Sequence, residues 1–217
     1  MDLVVPIKML DRAKSRLRGV VPAEEHADLV LALLLDTVTA AVAAAGVRRV
    51  LVICEDDRIP AALHGTGVDC VDERGLPGLN AALSHGAELL HAAGATTVGA
   101  LQADLPALCK DDLASAIEEA AGRRAYCADR PGTGTTLLLA APGEPLAPRF
   151  GPGSSAAHAA SGAVRVGSGL ASLRCDVDTE EDLDEAAKLG LGARTSLVAA
   201  VAEKFTHPFG LGCTIRP

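Results

Sequence analysis

The 217-residue sequence has no tryptophan, one tyrosine and three phenylalanines, so aromatic residues make up 2% of it. That leaves almost no platform on which the bases of a single strand could stack. Positive charge is not in excess either. Twenty Lys and Arg stand against 28 Asp and Glu, a formal net charge of −8, which excludes a global basic footprint for DNA or RNA. The longest uninterrupted apolar run, residues 29–35, is far short of a membrane span. The first residues already read as a strand, with no charged leader or cleavage site. The six cysteines show no CxxC or CxxH spacing, and the six histidines form no ligand pattern. Such scattered thiols are expected to be reduced and mostly buried, in a cytoplasmic protein.

What is present is enough apolar residue, 49% of the chain, to bury the core of one α/β domain. Strand-like runs occur at residues 2–7, 49–54, 68–71, 96–101, 124–128, 135–140, 164–166 and 173–177. Helical stretches separate most of them, at 22–45, 58–63, 78–93, 110–121 and 154–160, and two more follow at 179–189 and 195–204. This alternation predicts a single-domain Rossmann-like sheet, mixed but mostly parallel, with helices on both faces. No internal repeat or long linker divides residues 1–204. The segment 205–217, broken by Pro208, Gly210 and Gly212, is expected to be a loosely held tail.

The stretch TTVGALQADLP, residues 96–106, carries the first chemical signal. Its uncharged first half suits a buried central strand. Asp104 follows, and Pro106 cannot continue such a strand. Ligands of open α/β sheets bind at that carboxyl edge. The same Asp could instead cap the helix that starts near Lys110. A second acidic signal is CDVDT at 175–179. In an extended chain Asp176 and Asp178 point the same way while Val177 turns to the core. With Asp104 they would make three hard oxygen ligands, which suits Mg²⁺. Alternatively Asp176 ends a strand and Asp178 starts an acidic helix.

Three further stretches bear on anion binding. KMLDRAKSRLR, residues 8–18, has five basic residues in eleven, a local reversal of the overall charge directly after the first strand. Lys and Arg so placed could neutralise a triphosphate, or form a solvated basic turn. GTGTT at 132–136 and FGPGS at 150–154 combine glycines with a helix start at Ser154, where free amides attract phosphate. GxG without a following GK[ST] is no Walker loop. ERGLPGLN at 73–80 places a glycine turn before a helix, where Asn80 could read a nucleoside or belong to a cap.

Taken in order, PIKxxxxAKSRL, GLNAAL, LQADLPAL, GTGTTLL, FGPGSSAAH and CDVDTEEDL resemble the phosphoenolpyruvate or 2-phospho-L-lactate guanylyltransferases of coenzyme F-420 biosynthesis, from about Pro6 to about Asp184. The resemblance implies a nucleotidyltransferase sheet of the GT-A type. It implies that Asp104, Asp176 and Asp178 hold Mg²⁺. Lys8, Lys14 and Arg16 would hold the GTP phosphates, Lys14 and Arg16 beside Asp104 at the reacting centre, with Gly78 and Asn80 near the nucleoside. Thr136, Gly151 and Ser154 would bind phosphoenolpyruvate. The implied product is taken up by a downstream transferase, and the protein would be a monomer or homodimer. Two rivals stand beside it. A sugar-phosphate or molybdopterin nucleotidyltransferase would carry a Gly-rich GxGTR-like loop at its N-terminus, which is absent. A non-catalytic nucleotide-binding domain would have no reason to keep three carboxylates.

Overall fold

The computed structural model describes residues 1–73 and 75–206, with the side chains of 201–206 left aside. Among these residues seven strands form one sheet: β1 Asp2–Ile7, β2 Arg49–Cys54, β3 Asp69–Asp72, β4 Val98–Leu101, β5 Ala125–Ala128, β6 Thr135–Leu139 and β7 Val164–Arg165. They lie in the order β3-β2-β1-β4-β6-β5-β7. All pairings are parallel except the two made by β6, which runs antiparallel to both β4 and β5. The expected mixed, mostly parallel sheet is therefore present.

Seven helices accompany it among the described residues: α1 His26–Ala43, α2 Arg58–Leu63, α3 Leu79–Ala92, α4 Lys110–Ala120, α5 Ser154–Ala160, α6 Glu180–Leu189 and α7 Ala193–Thr206. Strand side chains alternate between two apolar layers, as the period-2 pleat dictates. Leu3, Val5, Val52 and Leu101 pack with Val30, Leu34 and Val38 of α1 and Leu113 of α4. Val4, Leu51, Ile53 and Ala100 pack with Ala82, Leu83, Ala87 and Leu90 of α3. Helices thus cover both faces. A third cluster joins Leu17, Leu29 and Leu33 to Val177, Leu183 and Ala186, and seals the carboxyl edge against α6.

Residues 23–43 are long and apolar enough, at a mean hydropathy of 1.6, to cross a membrane by length and composition alone. The helix buries 61% of that stretch inside the protein and supplies two of the three apolar clusters. It is a core helix, and its longest uninterrupted apolar run is shorter because Asp28 and Asp36 bound residues 29–35.

Two expectations need correction. The strand at 173–177 does not form. A single 3-10 turn, Ser172–Arg174, stands there, followed by extended chain that joins no ladder. The neighbouring place beside β5 is taken by β7, so this segment crosses the carboxyl edge of the sheet instead. The central strand starts at Val98 rather than Thr96. At the start of α6, Thr179 and Asp182 bond reciprocally in a capping box. The tail expected from 205 lies, beyond residue 206, outside the described residues.

Gly86 lets α3 lie directly on the sheet. A Cβ there would stand 2.7 Å from Val4 Cγ1 and 3.0 Å from Ile53 Cδ1. Gly86→Val should therefore lower unfolding free energy by about 1–3 kcal/mol through overpacking. A urea midpoint equal to wild type would refute that close contact.

Candidate active site

The segment after β4 carries Asp104 out over the carboxyl edge. Gln102 N–H adds one more bond to Thr136 O at 2.9 Å, and the ladder ends there. Asp104 does not cap a helix: the residue before α4 is Cys109, and no side chain caps that end. Asp104 O instead accepts the Val177 N–H at 3.0 Å. The acidic segment 175–179 is thus hydrogen-bonded beside Asp104. Val177 is fully buried while Asp178 is exposed and Asp176 intermediate. The alternation expected of a strand survives in extended chain without a sheet partner.

The basic loop reaches the same place. Leu10 and Leu17 are buried and anchor it. Asp56 Oδ2, just past β2, accepts the Leu10 N–H at 3.0 Å. His26 Nε2 lies 2.9 Å from Ala13 O. Between these anchors Lys14 takes a left-handed backbone, φ 53° and ψ 44°, a conformation that costs a non-glycine residue about 1–3 kcal/mol. Its ammonium donates to Asp104 Oδ2 and, at 2.6 Å, to Asp178 Oδ1. Burial alone would lower the Lys14 pKa, but the charges of Asp104 and Asp178 reverse that and hold it above the ordinary lysine value. Burial, and next the Asp104 charge, push Asp176 up to about 7 against the opposing pull of Lys14.

A cavity of about 250 Å³ opens here, lined by Lys8, Lys14, Leu79, Gln102, Asp104 and Asp178 among others. A somewhat larger one, about 340 Å³, is lined by Asp11, Arg18 and His26 and not by Asp104, Asp176 or Asp178. Arg16 is exposed on the turn Ser15–Leu17 and does not line the acidic cavity. Among the described residues no three His, Cys, Asp or Glu side chains are drawn close enough to grip a metal ion. The Lys14 ammonium stands between carboxylates. The Asp104 Oδ1 atom, however, is buried without a hydrogen-bond partner among the described residues.

The glycine-rich segments form a second group at the same edge. Because β6 is antiparallel, its first residues, Thr135 and Thr136, sit where the parallel strands end. Thr136 is fully buried. Ser154 begins α5 and is buried, and Ser155 N–H bonds Thr133 O at 3.1 Å. Gly151 is exposed with φ 132° and Gly78, before α3, has φ 90°, both favouring glycine. The Asn80 amide is already engaged: it donates to Phe150 O at 3.0 Å and accepts from Phe150 N–H at 2.8 Å. It thereby ties the FGPG loop to α3.

Residues not singled out in the sequence hold these loops. Asp129 takes the Thr133 and Gly134 amides at 2.8 and 2.7 Å. Arg174 donates to Ala128 O and Asp129 O at 3.1 and 2.9 Å. His158 lies between Thr135 Oγ1 and the Arg149 N–H, both at 2.9 Å. Asp129 bonds amides four and five residues on, beyond the two-residue reach of an Asx turn, so no local turn signal marks it. For Arg174 and His158 no local pattern marks the role.

Against known proteins, the family model for guanylyl transferases like CofC matches residues 1–197. A phosphoenolpyruvate guanylyltransferase of Salinispora arenicola is 49% identical over 203 residues, covering 92% of this chain and 94% of its own. Its namesake in Streptomyces scabiei is 48% identical over 205 residues, covering 91% and 95%. Among solved structures, a nucleotide-diphospho-sugar transferase from Desulfovibrio desulfuricans aligns with a TM-score of 0.68 over 94% of this chain and 95% of its own. At 16% identity that likeness concerns the fold alone.

Since Arg149 N–H donates to His158 Nε2, the ring is neutral, with its proton on Nδ1. Burial, and next the charges of Arg124 and Arg149, lower its pKa to about 4. The unfolded chain then takes up a proton near pH 6.5 that the folded chain refuses until about pH 4. Stability should fall as pH drops across that window, by up to about 3 kcal/mol at ~1.4 kcal/mol per pK unit. Denaturant titrations from about pH 7.5 to 4 should show this slope, and a His158→Gln variant should lose it. An unchanged slope in that variant would rule His158 out as its source.

Proposed function

The chain belongs to the family of guanylyl transferases like CofC, and on that footing we propose that it transfers GMP from GTP to phosphoenolpyruvate and releases pyrophosphate. The relatives' names favour phosphoenolpyruvate over 2-phospho-L-lactate. The observation that carries the reading is the meeting of Asp104, Asp178 and Lys14 in one cavity with Asp176 beside them.

In the proposed reaction a phosphate oxygen of the acid attacks the α-phosphorus of GTP. That oxygen is already anionic, so no general base is required, and positioning and charge neutralisation supply the rate. The buried Asp104 Oδ1, without a hydrogen-bond partner among the described residues, leaves the carboxylate set an oxygen free for a cation. These residues fit a divalent cation with oxygen ligands, and Asp104, Asp176 and Asp178 would hold Mg²⁺. The ion would neutralise phosphate oxygens as charge develops on them. Lys8 and Lys14 face the cavity to receive phosphates, and Arg16 would serve the triphosphate from just outside it. Thr136, Gly151 and Ser154 form the proposed acid site on the β6 side. Gly78 opens the nucleoside side, and Asn80 serves it through the Phe150 backbone it clamps. Residues 1–204 would be the catalytic domain, acting in the cytoplasm as a monomer or homodimer. The product, enolpyruvyl-2-diphospho-5'-guanosine, would pass to a transferase of coenzyme F-420 biosynthesis.

Two variants test the assignment. Asp104→Asn should cut pyrophosphate release from GTP plus phosphoenolpyruvate by more than about 100-fold while the fold survives, beyond the range for outer-shell changes at a metal. Near-normal turnover would sink the metal role. Lys14→Ala should raise the half-saturating GTP concentration about 10- to 100-fold, the scale of a lost charge-assisted hydrogen bond. The acid's requirement should move far less. An unchanged GTP dependence would place the triphosphate elsewhere.

A further inference from the structure

α1 is an apolar helix whose middle carries one adjacent polar pair, Asp36 and Thr37, both buried. Thr37 is completely inaccessible. Its hydroxyl can donate one proton and accept at its lone pairs, and all of this capacity is directed at two places. It donates to Leu33 O at 2.8 Å on its own helix, with Ala103 O at 3.3 Å as a longer second acceptor. It accepts the Leu105 N–H at 2.9 Å. Ala103 and Leu105 are the residues on either side of Asp104. One oxygen therefore holds the amide after the carboxylate residue and, more weakly, the carbonyl before it.

We propose that Thr37 is the positioning residue of the acidic site: through the peptide groups flanking Asp104 it sets where that carboxylate stands. The inference rests on the reading of Asp104 as a metal-holding residue and adds the device that aims it. The sheet cannot do this, because the last ladder bond is made by Gln102 N–H. The Asp104 side chain is held by Lys14 through Oδ2 alone, while Oδ1 has no hydrogen-bond partner among the described residues. From the other side the Val177 N–H reaches Asp104 O, but it comes from extended chain outside the sheet. α1 is the rigid partner available, and Asp36 extends the same junction. Its carboxylate takes the Arg194 and Thr195 amides at 3.2 and 2.8 Å, while Gly192 N–H donates to Pro106 O at 2.8 Å. The segment carrying Asp104 is thus held against the packed centre of a core helix, where water cannot substitute for a lost hydroxyl. A carboxylate displaced by a fraction of an ångström no longer matches an octahedral ion, which tolerates little distortion.

The test compares Thr37→Val, which keeps the shape and removes the hydroxyl, with Thr37→Ser, which keeps the hydroxyl. Thr39→Val is the control. Thr39 lies on the same helix and makes the same type of bond, to Leu35 O at 2.6 Å, but does not touch the Asp104 segment. Two readouts are taken on the full chain: Mn²⁺ binding without substrates, followed by loss of the free-ion paramagnetic resonance signal, and kcat and KM with Mg²⁺. Thr37→Val should weaken Mn²⁺ binding and lower kcat about 10- to 100-fold, the usual range for a residue supporting a metal ligand. The KM for GTP should stay within about twofold, since a defect of this kind lies at the metal and not at the triphosphate cations. Thr37→Ser and Thr39→Val should match wild type in both. Thr37→Val with a lowered melting temperature but wild-type Mn²⁺ binding and kcat would overturn the proposal, leaving Thr37 a purely structural residue. Should Thr37→Val fail to fold, Thr37→Ser decides: wild-type Mn²⁺ binding supports the proposal, and weakened binding despite the retained hydroxyl overturns it. Asp104→Asn is measured in parallel. If it too binds Mn²⁺ and turns over normally, the reading of Asp104 itself falls and the inference with it. If it is inactive while Thr37→Val is normal, the inference alone fails.

Discussion

Three carboxylates at the edge of an apolar sheet repel one another, and the rest of the site is arranged around that repulsion. Two like charges about 4 Å apart oppose each other by roughly 4 kcal/mol at an effective dielectric of about 20. Burial first, and the Asp104 charge after it, raise the pKa of Asp176. One ammonium, that of Lys14, answers it by bonding Asp104 and Asp178 together. To deliver that charge the chain accepts a left-handed backbone at Lys14. It secures the loop on both sides with buried leucines and with a bond from Leu10 N–H to Asp56. A site that needs a cation this much in its resting form is suited to work that brings cations and phosphates together.

The sheet makes the convergence possible. β1 and β4 are parallel neighbours, so the basic loop after one and the Asp104 segment after the other leave from the same edge. The reversed β6 brings the start of its own strand, with Thr135 and Thr136, to that edge as well. Loops as far apart in sequence as Lys14 and Asp178 thus open onto one side. Buried or half-buried polar groups then fix each loop individually: Thr37 for the Asp104 segment, Asp129 and Arg174 for the GTG loop, His158 and Asn80 for the FGPG loop.

Much of this was legible before folding. Strands β1 and β2 and helices α2 and α5 fall where periodicity and turn residues place them, because hydrophobic period and Gly or Pro punctuation act locally. Asp104, Asp176 and Lys14 were legible for a different reason. Carboxylates just after apolar strands and a basic run in an acidic chain are exceptions to their surroundings, and exceptions point to sites. The 173–177 segment was misread because an apolar–polar alternation describes extended chain in general. Whether it joins a ladder depends on which neighbour has a free edge, and β7 had taken the place beside β5.

By itself, then, the sequence determined the class of sheet, the order of its elements and the residue types able to handle phosphate and metal. These follow from local pattern and from the chemistry of single side chains. Only the tertiary structure decided that Lys14, and not Arg16, reaches the carboxylates. It also decided that the Asn80 amide is engaged by Phe150, and that a threonine in an apolar helix holds the amide after Asp104 and, more weakly, the carbonyl before it. Each is a contact between residues at least 66 positions apart. Which partner a buried polar group finds is set by packing, a property of the whole chain that no local window contains.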